Sequence, residues 1–116
     1  MKKAILYINQ FFGQIGGEDM AHVEPQIHDK LVGPAMAYQT ALGKEIQITH
    51  TIVCGDNYMG SNTEQGIATI LDFLEGKEFD IFFAGPAFRA GRYGAACGHI
   101  SAKLSKKNLT FLSLLL

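Results

Sequence analysis

A chain of 116 residues, 47% hydrophobic and 18% charged, is long enough for one modest core and too apolar to remain unfolded. Its formal net charge of −1 excludes a broad electrostatic footprint for nucleic acid or for an anionic membrane surface. The two cysteines, 54 and 97, belong to no CxxC pair and exclude a disulfide framework; histidines 22, 28, 50 and 99 lack metal-ligand spacing with them, so no metal site is expected.

Lys2 and Lys3 precede an apolar run in the manner of a secretory leader, but Asn9 and Gln10 break the run and no small-residue cleavage site follows. "KAILYI" therefore predicts a first strand buried on both faces, in a cytoplasmic protein. Residues 12–32, with three glycines, a proline and mixed charge, predict a long loop with at most a helical turn. "GPAMAYQTALGKE" predicts a helix, with Pro34 in its first position and Gly43 at its end. In "EIQITHTIVCG" the alternation of Ile46, Ile48, His50 and Ile52 predicts a strand. "SNTEQGIATILDFLEGK" predicts a helix opened by a capping box of Ser61 and Glu64, with Ile67, Ile70, Leu71 and Leu74 on its apolar face and Gly76 at its end. "FDIFFAG" reads as another buried strand, residues 92–107 as a helix with Tyr93, Cys97, Ile100 and Leu104 on one face, and "LTFLSLLL" as a last strand.

Strands alternating with helices predict a three-layer α/β domain, Rossmann-like or flavodoxin-like, with right-handed crossovers and a mainly parallel sheet of about four strands. Ligands of such sheets bind beyond the carboxyl ends of the strands. Three loops rich in glycine and polar groups collect there: "NQFFGQIGGED", "CGDNYMGSN" and "GPAFRAGRYG".

The third loop admits several chemistries. A phosphate-cradling P-loop needs GxxxxGK[ST]; here Gly85 to Gly91 is one residue too long and Arg92-Tyr93 stands in place of Lys-Ser. A smaller anion such as a carboxylate fits better, held by N–H groups and by the fork of Arg89 or Arg92; alternatively both arginines are solvated or pair with carboxylates such as Asp56. Cys97 falls on an apolar face among small residues and reads as core. Cys54, which ends a strand beside Gly55 and Asp56, is a weak candidate for catalysis, since no base adjoins it and the carboxylate discourages a thiolate. Glu18 and Asp19 after Gly16-Gly17 are placed to orient an amine, or else form a solvated loop tip. The expected substrate-binding set is Gly16, Gly17, Glu18, Asp56, Asn57, Arg89 and Arg92, with the catalytic residues unassigned. A flavin is disfavoured, because the first loop lacks a compact Ser/Thr-rich phosphate turn.

"YINQFFGQIGGED", "VGPAMA", "TIVCGDNYMGSN" and "AGPAFRAGRYGAACG" together resemble, in order from about residue 3 to about 107, the amino-terminal part of the selenoprotein subunit of component B of glycine, sarcosine and betaine reductase. The resemblance implies a cytosolic enzyme of anaerobic amino-acid fermentation that reductively cleaves the C–N bond of glycine or an N-methylated glycine. It implies as partners a selenoprotein A that receives the two-carbon unit and, for the glycine enzyme, a pyruvoyl-bearing subunit that captures the substrate amine. The family's selenocysteine lies in a part several times longer than this chain, so neither Cys54 nor Cys97 inherits its role. The alternative is a small carboxylate-binding or protein-interaction module without catalysis.

After "KLSKK" the resemblance implies a continuation such as Leu-Asn-Ile-Pro, whereas the chain reads "NLTFLSLLL". The codons AAC TTA ACA TTC CTN for the five residues from Asn108 yield Leu-Asn-Ile-Pro when read from their third base. Residues 108–116 are therefore expected to be a frameshifted tail, arising from a slip in the adenine-rich codons of Lys106 and Lys107. The whole, residues 1–116, is expected to be one truncated α/β domain, inactive alone. Its apolar end is still able to pair as a strand, and is an aggregation hazard if left exposed.

Overall fold

The computed structural model describes residues 2–10, 13, 16–84 and 112–113. The expected helix over 92–107, with Tyr93 and Cys97, and the two arginines Arg89 and Arg92 lie outside the described residues.

In chain order the elements are β1 (Lys2–Asn9), a 3-10 turn (Glu18–Met20), β2 (Gln26–His28), α1 (Ala35–Leu42), β3 (Ile46–Cys54), α2 (Asp56–Ser61), α3 (Thr63–Leu74), β4 (Ile81–Ala84) and β5 (Leu112–Ser113). They build one five-stranded sheet in the order β2-β3-β1-β4-β5. β1 runs parallel to both β3 and β4, and β4 runs parallel to β5, pairing Phe83 with Leu112 and Ala84 with Ser113. Four parallel strands and the pairing of the last apolar segment agree with the expectation. A further strand was not expected: β2 joins the edge antiparallel to β3, inside the segment expected to be loop. Its pattern of one exposed and two half-buried residues is too short to show periodicity, and it is stabilised by the neighbour's ladder rather than by propensity.

β1 is central, and the residues Ala4 to Ile8 are all buried, as an apolar run without alternation requires. Its side chains divide between two cores. Ile5 and Tyr7 join Ile52, Cys54, Phe82 and Ala84 beneath Ile67, Ile70 and Leu74 of α3. Ala4, Leu6 and Ile8 join Ile48, Val53 and Phe83 on the other face, where Ala35, Tyr38 and Leu42 of α1 pack. The architecture is thus helix, sheet, helix.

The alternation read in β3 is interrupted. Ala4 pairs with Ile48 but Ile5 pairs with His50, so Thr49 is an extra residue without a partner position on β1. Its hydroxyl donates to the carbonyl of Ala4 at 3.4 Å and meets His50 Nδ1 at 2.9 Å. Because of this bulge Ile46 and Ile48 face α1, while Ile52 and Cys54 face α3.

The helix stops were well placed. Gly43 and Gly76 hold φ of 72° and 78°, a left-handed conformation that strains any residue with a Cβ. Pro34 stands one position before the first helical residue, at the N-cap of α1. The capping box is a correction. Ser61 closes the separate short helix α2, and α3 starts at Thr63 behind an Asn62 N-cap without a side-chain cap bond. Instead of capping forward, the Thr63 hydroxyl bonds back to the carbonyl of Met59 at 2.8 Å. Among the described residues no helix is long and apolar enough to cross a membrane.

Candidate functional site

The carboxyl ends of β1 and β3 lie side by side, Asn9 against Cys54, and the chain leaves both through polar residues. Asn9 and Gln10 are buried where β1 ends, and Asp56 is buried at the first turn of α2, a position that suits a carboxylate next to the helix's free N–H groups. Asn9 Nδ2 donates to Asp56 Oδ2 at 3.0 Å, a buried charge-assisted bond. Gln10 Oε1 accepts the backbone N–H of Asp56 at 3.0 Å, while Gln10 Nε2 donates to the carbonyl of Gly17 at 3.4 Å. The backbone carbonyl of Gln10 also accepts the N–H of Gly16 at 3.4 Å. One glutamine thereby ties the first glycine loop to the start of α2.

A second set of bonds holds the loop after the 3-10 turn. Gly55 N–H donates to the carbonyl of Val23 at 2.9 Å, and the N–H groups of Asn57 and Tyr58 both donate to the carbonyl of Ala21, at 2.8 and 3.0 Å. Asp19 accepts the N–H of Gly17 at 3.1 Å through its carboxylate, so this acid shapes the loop rather than standing free of it. Of the expected binding set, Gly16, Gly17, Asp56 and Asn57 are brought together in this network. Glu18 belongs to the 3-10 turn next to them. Asn9 and Gln10 were missed as members of the site. Their signal was available: two amides directly after a fully apolar strand are an unusual place to bury polar side chains unless their hydrogen bonds are satisfied there.

Cys54 lies here too, fully buried, its thiol donating weakly to the carbonyls of Gly55 at 3.6 Å and Val23 at 3.8 Å. Burial pushes the thiol up to about 12; a hydrogen bond from Tyr7 opposes this, and the Asp56 carboxylate adds to it. Such a group is held as a thiol at neutral pH, the form that is not nucleophilic. The folded state holds the Cys54 proton above pH 9, where the unfolded chain releases it. Stability is therefore expected to be independent of this group below pH 9 and to fall between pH 9 and 12. The slope is at most about 1.4 kcal/mol per pH unit. Urea midpoints measured across that range should show the fall in a Cys97→Ser background and lose it when Cys54→Ala is added.

Tyr58, in α2, is also held above the ordinary phenol range, by desolvation and then by the Glu24 carboxylate. Among the described residues no three His, Cys, Asp or Glu side chains gather as metal ligands.

Comparison with known proteins identifies the family. The family model described as "Glycine/sarcosine/betaine reductase selenoprotein B" matches residues 1–114. The betaine reductase complex component B subunit beta of Peptoclostridium acidaminophilum is 57% identical over 107 residues, which are 92% of this chain and 24% of that protein. The sarcosine reductase complex component B subunit beta of the same organism is 46% identical over 99 residues, 85% of this chain and 23% of that protein. A glycine reductase complex component B subunit gamma from Symbiobacterium thermophilum is 45% identical over 105 residues, 90% of this chain and 24% of that protein. The chain thus spans about a quarter of the length of these relatives. No solved structure matches it. On the family match and these identities together, the chain belongs to the glycine/sarcosine/betaine reductase selenoprotein B family.

Proposed function

We propose that this chain is the amino-terminal part of a component B subunit and forms one wall of its substrate site, receiving glycine, sarcosine or betaine for reductive C–N cleavage. The observation that carries the reading is the buried Asn9–Asp56–Gln10 network at the carboxyl ends of two adjacent central strands. In an open α/β sheet ligands bind beyond the carboxyl ends of the parallel strands, and the order β3-β1-β4-β5 of these strands supports a flavodoxin-like reading. The described half of the site is acidic, with Asp19 and Asp56 held by backbone and amide donors. It complements the cationic nitrogen end of such a substrate, leaving the carboxylate to Arg89 or Arg92.

In this reading the chemistry belongs to groups outside the chain. A selenocysteine centre in the longer subunit, a pyruvoyl-bearing subunit for glycine and selenoprotein A as acceptor supply the reactive atoms. Residues 1–116 position substrate and are inactive alone, in the cytoplasm. The reading of residues 108–116 as a frameshifted tail belongs to the same proposal, and Cys54 remains a weak catalytic candidate within it. The alternative, a carboxylate-binding or interaction module without catalysis, shares the site and differs in what it assembles with.

Titration of the chain with glycine, sarcosine and betaine, followed by amide chemical shifts, tests the site. The expected result is saturable shifts at Gly16, Gly17, Asp56 and Asn57 for at least one of the three, weakened at least tenfold by Asp56→Asn. Shifts confined to residues far from these loops would overturn the placement.

A further inference from the structure

The two sides of β3 are paired to different extents. β1 accompanies it from Ile46 to Cys54, past the extra Thr49, whereas β2 on the opposite side reaches only Thr51, Ile52 and Val53. Among the described residues no strand pairs with this outer side before Thr51. A strand edge of that kind is a template for pairing with another chain. There is room for one, because a cavity of about 560 Å³ is lined by residues 46–49, by residues 29–31 and by Gln39, Gly43 and Lys44. Yet the edge is satisfied, by one side chain. Gln39 of α1 donates from Nε2 to the carbonyl of Ile46 at 2.8 Å, and its Oε1 accepts the N–H of Ile48 at 2.6 Å. A parallel neighbour would bond the same two groups through one residue opposite Gln47. Nε2 also donates to the carbonyl of Gly43 at 3.1 Å, which fixes the amide's orientation: turned over, it would set its NH₂ against the Ile48 N–H.

We propose that Gln39 is an edge plug: it fills the ladder position a neighbouring strand would take and so keeps β3 of one copy of this chain from pairing with β3 of a second copy. A primary amide carries the donor and the acceptor of a peptide group, which is why this residue type can stand in for a strand residue. A leucine or an alanine there would leave the Ile46 carbonyl and the Ile48 N–H to water or to another chain. Two copies of one edge meet about a two-fold axis, the commonest symmetry of association, so the second copy is the partner that loss of the plug admits. The inference goes beyond the substrate-site reading and does not rest on it. Gln39 acts at the amino end of β3, whereas the site lies at the carboxyl end, where Cys54 leads into Asp56.

Amide hydrogen exchange read against protein concentration tests it. In the parent chain the Ile48 amide is expected to be protected at every concentration. In Gln39→Ala it should exchange at least about tenfold faster in dilute solution. Its protection should return as the concentration is raised, in step with a larger species in sedimentation velocity. Thr40→Ala is the control, because the Thr40 hydroxyl bonds back to the Met36 carbonyl within α1 at 3.0 Å; both readings should match the parent. A Gln39→Ala chain that keeps the parent's oligomeric state at all concentrations would overturn the proposal. So would association that leaves Ile48 exchanging rapidly, since the contact would then lie elsewhere. Undiminished protection of Ile48 in dilute Gln39→Ala would also overturn it, since something other than the amide would then cover the edge. If Gln39→Ala does not melt cooperatively, Gln39→Met keeps the length and helix propensity of the side chain without its amide, and the same readings decide.

Discussion

Replacing Gly55 by alanine is expected to destabilise the chain by about 3 kcal/mol, the upper end of what overpacking a close-packed interior costs. The backbone of Gly55 is ordinary, with φ −68° and ψ 135°, so conformational freedom is not the reason. Space is. A Cβ on this residue would lie 2.6 Å from the carbonyl carbon of Ala21 and 2.7 Å from the amide nitrogen of Val23, with the Ala21 carbonyl oxygen nearer still. Those atoms are backbone, and they are pinned by the bonds from Gly55 to Val23 and from Asn57 and Tyr58 to Ala21. A side chain could swing aside; this segment must move as a unit and surrender three hydrogen bonds to do so. Urea unfolding of Gly55→Ala against the parent chain measures the loss. Gly60→Ala is the control, because a Cβ there meets nothing within 4 Å and a small gain in helix propensity is expected. If the two variants proved equally stable, the close approach would not be the constraint it is taken to be.

Asn9→Leu is expected to cost about 2 kcal/mol, the penalty for depriving a buried carboxylate of a hydrogen-bond donor. Leucine nearly matches asparagine in shape, so little of the loss arises from a cavity. Asn9 Nδ2 is directed at Asp56 Oδ2 from 3.0 Å, and both residues are buried. The double-mutant cycle with Asp56→Leu isolates the pair. Removing both polar partners should cost less than the sum of the single changes, by about 1–3 kcal/mol. Strict additivity would mean that the Asn9–Asp56 bond contributes nothing specific. Gln10 is unaffected by either change, because its bond to Asp56 uses the backbone N–H.

These two positions also show where sequence reading reaches and where it stops. The central strands were legible because a run such as Ala4 to Ile8, buried on both faces, has no polar interruption. Gly43 and Gly76 marked helix ends because the conformation they adopt is a local property of the residue type. The sheet edge β2 was not legible: three residues held by a neighbouring strand carry no period of their own. The capping box failed because Ser61 is the last residue of α2, so that α3 opens two residues later behind Asn62. In the site, the glycine loops and Asp56 stood out by composition. Asn9 and Gln10 offered only their place directly after an apolar strand, because the partner that satisfies them lies 47 and 46 residues away.

The unmatched Thr49 sets a parity rule for the whole of β3. Upstream of it the strand counts its faces from Ile46, and downstream from the paired Ile52 and Cys54. Gaining or losing one residue between Ile46 and Ile52 would exchange the two layers at one end of the strand, carrying Cys54 and the turn into Asp56 to the wrong side of the sheet. Gaining or losing two would shift the register but keep each layer's own residues. Length changes in this strand are therefore admissible only in even numbers, and a homologue that breaks the count must carry a second irregularity before the site begins.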